Sequence, residues 1–315
     1  MNKLIVEPPP HIRTSNSTGR IMLHVIIALI PAFAASVIIF GIRAAVVTVT
    51  CVASCVFFEY FFRKITKKEQ TVSDLSAAVT GILLAFNLPV TLPLYMVIIG
   101  AFVAIVVVKQ MFGGIGQNFA NPAIVARIVL MMSFTPQMSS WVKPFYYKMS
   151  VPDAVTTASP LGAEVPPGYA DLFLGINAGS LGETCALALL IGFVYLLAAR
   201  VIRPVTPVAF VGVFAAATFF AGGDVLTGIL SGGLLLGAIF MATDYATTPL
   251  TPLGKIIFGA GCGVITFAIR QFGTMPEGVA FSILIMNILT PYIDKLTRPT
   301  PFGAGTGKQS GKEMP

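Results

Sequence analysis

Seven residues, Asp153-Ala154-Val155-Thr156-Thr157-Ala158-Ser159, gather one carboxylate and three hydroxyls inside a polar run from Val151 to Leu161. Hydrolysis by a Ser-His-Asp arrangement needs an imidazole beside the hydroxyl, and the chain's two histidines, His11 and His24, both lie close to its N-terminus. The run is therefore suited to accept a covalent group through a hydroxyl; the plainer alternative is a connector rich in turn formers. A second candidate is Asp244, in Met241-Ala242-Thr243-Asp244-Tyr245 ahead of Thr247, Thr248 and Pro249. An acid at membrane depth is costly and marks function unless it serves as an interfacial cap or turn acid. A third is Gly113-Gly114-Ile115-Gly116-Gln117-Asn118-Phe119-Ala120-Asn121-Pro122 with Arg127 beyond it. Such a glycine-rich helix entry offers backbone N–H groups to an anion. Without a Lys-Ser/Thr ending it is no P-loop, and close packing by small residues is the competing reading. Glu59 and Asp74 bracket the basic run from Arg63 to Lys68 and read as interfacial charges.

The elements that must position these residues are membrane helices. The 315 residues are 56% hydrophobic and only 10% charged, with mean hydropathy +0.86, against about 25% charged in soluble domains. The net charge of +7 does not imply nucleic acid, because the basic residues sit at the ends of apolar runs with no aromatic interleaving. The first apolar run is long enough to span and no small-residue cleavage site precedes it, so no signal peptide is expected to be removed. Cys51, Cys55, Cys185 and Cys262 fall inside apolar runs without a Cys-x-x-Cys pair, which supports neither zinc nor an iron–sulfur site and reads as buried packing. Cys51 and Cys55 share a helix face. Two histidines near one terminus do not suit haem, so no metal is expected.

Taking about 20 apolar residues per span, the chain reads as an all-α polytopic protein of ten transmembrane helices. These fall near 21–40, 44–62, 75–88, 95–109, 122–134, 184–199, 204–220, 226–243, 255–271 and 278–292. Residues 134–183 lose hydrophobic continuity and read as a water-exposed loop. The organisation is then an N-terminal segment 1–20, a five-helix half 21–134, a loop 135–183 carrying the acceptor run, a second half 184–293 and a tail 294–315. With the N-terminus cytoplasmic, 16 of the 20 basic residues fall inside and 4 (Arg43, Lys143, Lys148 and Arg270) outside. Both termini are then cytoplasmic and the acceptor loop is extracytoplasmic. Each half has two long helices, a short glycine-containing one, a turn with prolines and two more helices. Five being odd, the duplication is inverted, as in transporter folds whose sites lie at short, broken helices.

Asp153-Ala154-Val155-Thr156-Thr157-Ala158-Ser159 is similar to the Asp-x-x-(Ser/Thr)-x-Ala-Thr acceptor at which a flavin transferase attaches FMN by a phosphodiester. With Gly113 to Pro122 and Met241 to Tyr245 as further matches, roughly residues 6–302 resemble the D subunits of Rnf electron transport complexes. The B subunits of sodium-translocating NADH:quinone oxidoreductases are a more distant likeness. The resemblance implies covalent FMN on Ser159, where the family usually has Thr, with Thr157 and Thr156 as alternative acceptors and Asp153 as part of the motif the transferase reads. It also implies a second, noncovalent flavin such as riboflavin, partner Rnf subunits and coupling of ferredoxin–NAD electron transfer to Na+ or H+ movement. The setting implied is a prokaryotic cytoplasmic (inner) membrane. No dinucleotide fingerprint follows a strand, so the nicotinamide site belongs elsewhere in such a complex. Asp244 is the ion-path candidate. Composition and inverted halves fit a secondary transporter or channel without a redox cofactor equally well, and a structural anchor is a third reading.

Overall fold

The computed structural model describes residues 17–148, 156–157, 161, 167–273 and 278–299. Asp153 and Ser159 lie outside the described residues. The architecture is helical: α1 (Thr18–Phe40), α2 (Ile42–Ile65), α3 (Ser76–Phe86), α4 (Leu94–Phe102) and α5 (Pro122–Ser133) precede the polar loop. Within the loop lie α6 (Thr135–Met138) and α7 (Tyr169–Leu174), followed by α8 (Ala186–Ala198) and α9 (Val205–Phe220). Then come α10 (Val225–Leu230), α11 (Leu234–Leu236), α12 (Pro252–Phe272) and α13 (Val279–Thr297). Among the described residues, α1, α2, α12 and α13 are long and apolar enough to cross a bilayer; α3, α4, α5, α8 and α9 are shorter apolar helices. Their outer faces carry apolar side chains such as Ile38, Val49 and Phe57, each more than half exposed, as lipid-facing positions do.

Local chemistry sets the helix ends. Ser17 caps α1 by accepting from Arg20 N at 3.3 Å. Asn121 and Thr251 cap α5 and α12, each followed by a proline at the first helical position, where its missing N–H costs nothing. Small residues set the packing. Gly259 and Gly263 let α12 lie against α9 so closely that added Cβ atoms would stand 2.7 Å from Thr206 O and 2.8 Å from Phe210 O, the small-xxx-small contact of membrane helices. Gly81 brings α3 onto α2 at Val52. Across the molecule α1 packs on α8 and α5 on α13, while α2 lies on α4 as α9 lies on α12.

We call the end of the bundle holding Thr18 proximal and the end holding Phe40 distal. The apolar run at 226–243 is not one helix. It breaks at Ser231-Gly232-Gly233, where the two glycines have φ of +66° and +69°, a left-handed conformation that glycine adopts without steric cost. Two helices change pitch: α4 runs on as a π-helix over Val103–Gln110 and α11 over Gly237–Met241, a form frequent at functional sites. The loop 135–183 is not wholly exposed either. Asn177, Ser180, Glu183 and Thr184 are buried, because this stretch runs into the bundle and its Leu181 and Gly182 N–H groups donate to Leu88 O and Phe86 O at 3.1 and 3.0 Å. The polar side chains that read as solvent-loving are covered by a wall of protein instead, with backbone bonds holding the stretch in place. At the distal surface a two-stranded antiparallel ladder pairs β1 (Trp141–Val142) with β2 (Thr156–Thr157), Trp141 opposite Thr157 and Val142 opposite Thr156.

Candidate functional site

Between α1, α3, α8 and the two π-segments a cleft opens toward the proximal end. Met22, Leu83, Leu196 and Phe240 form apolar walls, and Lys109, Asn118, Asn121, Asp244 and Tyr245 supply the polar atoms. A second opening, bounded by Thr18, Thr290 and Asp294, shares Asp244, Tyr245 and Ala246 with it. Asp244 therefore lines both spaces. Its carboxylate accepts from Ala246 N at 3.4 Å and from Thr247 Oγ1 at 3.2 Å, so it also organises the turn that follows the π-segment. Asn118 Oδ1 is sealed from solvent and has no hydrogen-bond partner.

Behind the cleft lies an ion pair. Lys109 Nζ is 2.7 Å from Glu59 Oε2, with the two side chains 2% and 0% exposed. Lys109 also donates to Ser76 Oγ at 2.6 Å, and Thr71 Oγ1 donates to Glu59 Oε1 at 2.7 Å. Asp74 fixes the start of α3 by accepting from Ser76 N at 2.8 Å. Glu59 is thus not an interfacial charge: the α2 face that bears it turns inward, with Cys51, Cys55 and Arg63 also buried on it. Arg63 donates through Nε to Gln110 Oε1 at 3.1 Å and through Nη1 to Glu69 O at 2.7 Å.

A second polar cluster occupies the interior where the broken elements meet. Asn87, just past α3, donates to Leu83 O at 2.6 Å and accepts from Arg127 Nη1 of α5. Asn121 Nδ2 donates to Met241 O at 3.4 Å. A Cβ on Gly233 would stand 2.7 Å from Glu183 Oε2 and 3.8 Å from Arg127 Nη1, so the carboxylate and the guanidinium share the space over the α10–α11 break. Toward the distal end Arg270 braces that break by donating to Gly228 O at 2.6 Å, Ser231 O at 3.2 Å and Gly232 O at 3.0 Å. Leu161 Cδ1 and Arg270 Nη2 both crowd Gly232, which seats the residue two positions beyond Ser159 against the break.

Among the sequence candidates, Asp244, Asn118 and Asn121 come together in the cleft, while Arg127 lies deeper with Asn87. Asn121 Oδ1 accepts from Ala123 N at 3.0 Å, so the glycine-rich entry to α5 is capped by its own side chain; Gly114 sits under the Arg63 guanidinium. Thr156 and Thr157 take part in the distal ladder through their backbone. Arg63, Lys109 and Arg127 are interior residues rather than interface markers, and removing them from the 16 inward basic residues leaves 13 against 4. Sequence reasoning missed Glu183 and the Glu59–Lys109 pair. For the pair the signal was present: Cys51, Cys55, Glu59 and Arg63 recur every fourth residue, one face of a helix. All four cysteines are free and buried.

Apolar helices with exposed apolar faces, crossings that break, and charges held at the breaks define a polytopic α-helical membrane protein with a buried polar interior. The chain belongs to the NQR2, RnfD, RnfE family, whose model matches residues 5–303. It is 44% identical to the D subunit of the Na(+)-translocating ferredoxin:NAD(+) oxidoreductase complex of Acetobacterium woodii, over 98% of both chains. It is 42% identical to the D subunit of the proton-translocating ferredoxin:NAD(+) oxidoreductase complex of Clostridium ljungdahlii, over 96% of this chain and 97% of the relative. Identity to the D subunit of the ion-translocating oxidoreductase complex of Escherichia coli O1:K1 is 33%, over 95% and 98%.

Proposed function

We propose that this chain is the membrane subunit of an ion-translocating ferredoxin:NAD oxidoreductase that relays electrons through FMN esterified to Ser159 and contributes part of the ion path. The observation that carries the reading is full-length similarity to subunits of that name, joined to a hydroxyl acceptor run two positions beyond which Leu161 is seated at the α10–α11 break. A flavin supplies one- and two-electron transfer when bound, and the protein supplies position and electrostatics. Ester attachment needs only a hydroxyl on an accessible loop and a transferase that reads Asp153 and its neighbours. For a noncovalent flavin such as riboflavin the proximal cleft is our choice: its walls are apolar with a few polar groups among them, as in small-molecule sites, and Asn118 Oδ1 is a buried acceptor that a ring N–H would satisfy.

The finer architecture belongs to the same proposal. We assign ten crossings in two inverted halves, counting α10 with α11 as one. The packing of α1 on α8 and α5 on α13 supports this, since those helices hold equivalent places in the two halves. The 13 to 4 basic bias supports cytoplasmic termini in a prokaryotic inner membrane, with the acceptor loop on the opposite side. The remaining partners are the other subunits of the complex, the flavin transferase, lipid, and Na+ or H+.

Protein purified from its native host and run on a denaturing gel should fluoresce under ultraviolet light. A dark band would leave a transporter or channel as the better reading. Asp244→Asn should lower the number of ions moved per electron while the band stays fluorescent, because the carboxylate lines both proximal openings and an acid at that depth is costly unless used. Wild-type coupling in vesicles would return Asp244 to the turn role its bonds to Ala246 and Thr247 already serve.

A further inference from the structure

Residues 177–185 join the distal loop to α8 without forming a helix, yet Asn177, Ser180 and Glu183 are 5%, 0% and 7% exposed. Non-helical backbone at membrane depth persists only where protein or a cavity covers it. Here the end of α3 provides the cover, through Leu88 O and Phe86 O. The depth follows from helix geometry: the eleven residues of α3 rise about 16 Å at ~1.5 Å each, roughly half of a ~30 Å apolar core. Glu183 therefore lies near mid-membrane, where interrupted helices place ion sites.

The Glu183 carboxylate is held between two backbones. Its Oε1 accepts from Ser180 N at 2.9 Å, and its Oε2 lies over Gly233. Two more oxygens of the same non-helical segment, Asn177 Oδ1 and Ser180 Oγ, are sealed from solvent with no hydrogen-bond partner. A carboxylate with neutral side-chain oxygens is the donor set of a hard cation. Arg127 stands over the same glycine, and its guanidinium already donates to Asn87 Oδ1, so it has a second acceptor when the carboxylate is engaged elsewhere.

We propose that Glu183, Asn177 and Ser180 form a Na+ site at mid-membrane, in which the translocated ion and the Arg127 guanidinium alternate as counter-charge to the carboxylate. The inference rests on the reading of this chain as an ion-translocating subunit. A proton would need only the carboxylate; the two unmatched neutral oxygens favour a metal cation. In the cycle, Na+ entering from the proximal cleft takes the carboxylate while Arg127 remains on Asn87, and return of the guanidinium releases the ion toward the distal side. The ion-bound site carries the ion's own positive charge, since Arg127 then rests on the neutral Asn87 Oδ1, and the empty site is neutral, with the guanidinium facing the carboxylate over Gly233.

The test uses the whole complex in liposomes. Glu183→Gln should raise the Na+ concentration for half-maximal electron transfer by roughly tenfold or more, the scale of losing one charged partner, and Glu183→Asp by less. In the unaltered complex a hydrophobic carbodiimide should label Glu183, read by peptide mass spectrometry, and Na+ but not K+ should slow the labelling. Labelling that is absent, indifferent to Na+ or responsive to pH alone overturns the site even if the variants fail to assemble. An assembled Glu183→Gln complex with the wild-type Na+ dependence overturns it as well. Flavin fluorescence is scored on the same preparation. A fluorescent band with a Na+-indifferent Glu183 fails this inference alone, whereas a dark band with a Na+-protected Glu183 fails the electron-relay reading alone.

Discussion

Ser159→Ala should abolish covalent FMN, and with it electron transfer through the complex, while the subunit still inserts and assembles. The ester needs a nucleophilic oxygen, and alanine removes that oxygen and little else. Insertion and assembly, scored on the same preparation as the fluorescence, separate a loss of chemistry from a loss of folding. Ser159→Thr should keep the flavin, since it restores a hydroxyl on the same carbon. The two alternative acceptors differ in setting: Thr156 and Thr157 have their backbone in the ladder with Val142 and Trp141. A Ser159→Ala band that still fluoresces on a denaturing gel moves the acceptor, and Thr157→Ala and then Thr156→Ala identify it. Fluorescence surviving all three changes would remove the residue-level basis of the electron-relay reading.

How much of this was legible in the sequence depends on the distance over which each feature is specified. The helices α1, α2, α12 and α13 begin and end within five residues of where apolar runs and basic flanks put them, because bilayer thickness acts on each run separately. The break inside 226–243 was written locally as Ser-Gly-Gly, but a hydropathy window averages over it. Residues 177–184 misled for a physical reason. Asn, Gly, Ser and Glu mark a solvated loop only when water covers them, and here Phe86, Leu88 and Gly233 close over the stretch, its backbone N–H groups donating to Leu88 O and Phe86 O. The inward turn of Glu59 was written in the spacing of Cys51, Cys55, Glu59 and Arg63, but the partner that makes its burial tolerable is 50 residues away, and no local pattern names Lys109. Asp244 was legible as a costly acid, whereas the cleft it lines needs five separate elements to exist.

Breaking the Glu59–Lys109 pair should destabilise the protein far more than any substitution in the acceptor run. Both side chains are almost completely buried and 2.7 Å apart, and each has one further neutral partner, Ser76 for Lys109 and Thr71 for Glu59. Removing one member of such a pair strands the other charge in an apolar interior, at a cost of ~3–5 kcal/mol, a large share of the ~5–15 kcal/mol that holds a domain together. Glu59→Ala and Lys109→Ala should each lower the thermal transition in detergent by many degrees and reduce the yield of monodisperse protein. Glu59→Leu combined with Lys109→Met should recover most of that loss, since apolar side chains of similar volume can replace a buried pair without penalty. The double variant also separates structure from function: Lys109 lines the proximal cleft, so a stable double variant with impaired electron transfer would place the ammonium in the working site, and one with full activity would confine the pair to holding α2, α3 and the α4 π-segment together. Single variants that melt with the wild type would show that the charges are hydrated after all, and that the inward face of α2 is reached by water from the cleft.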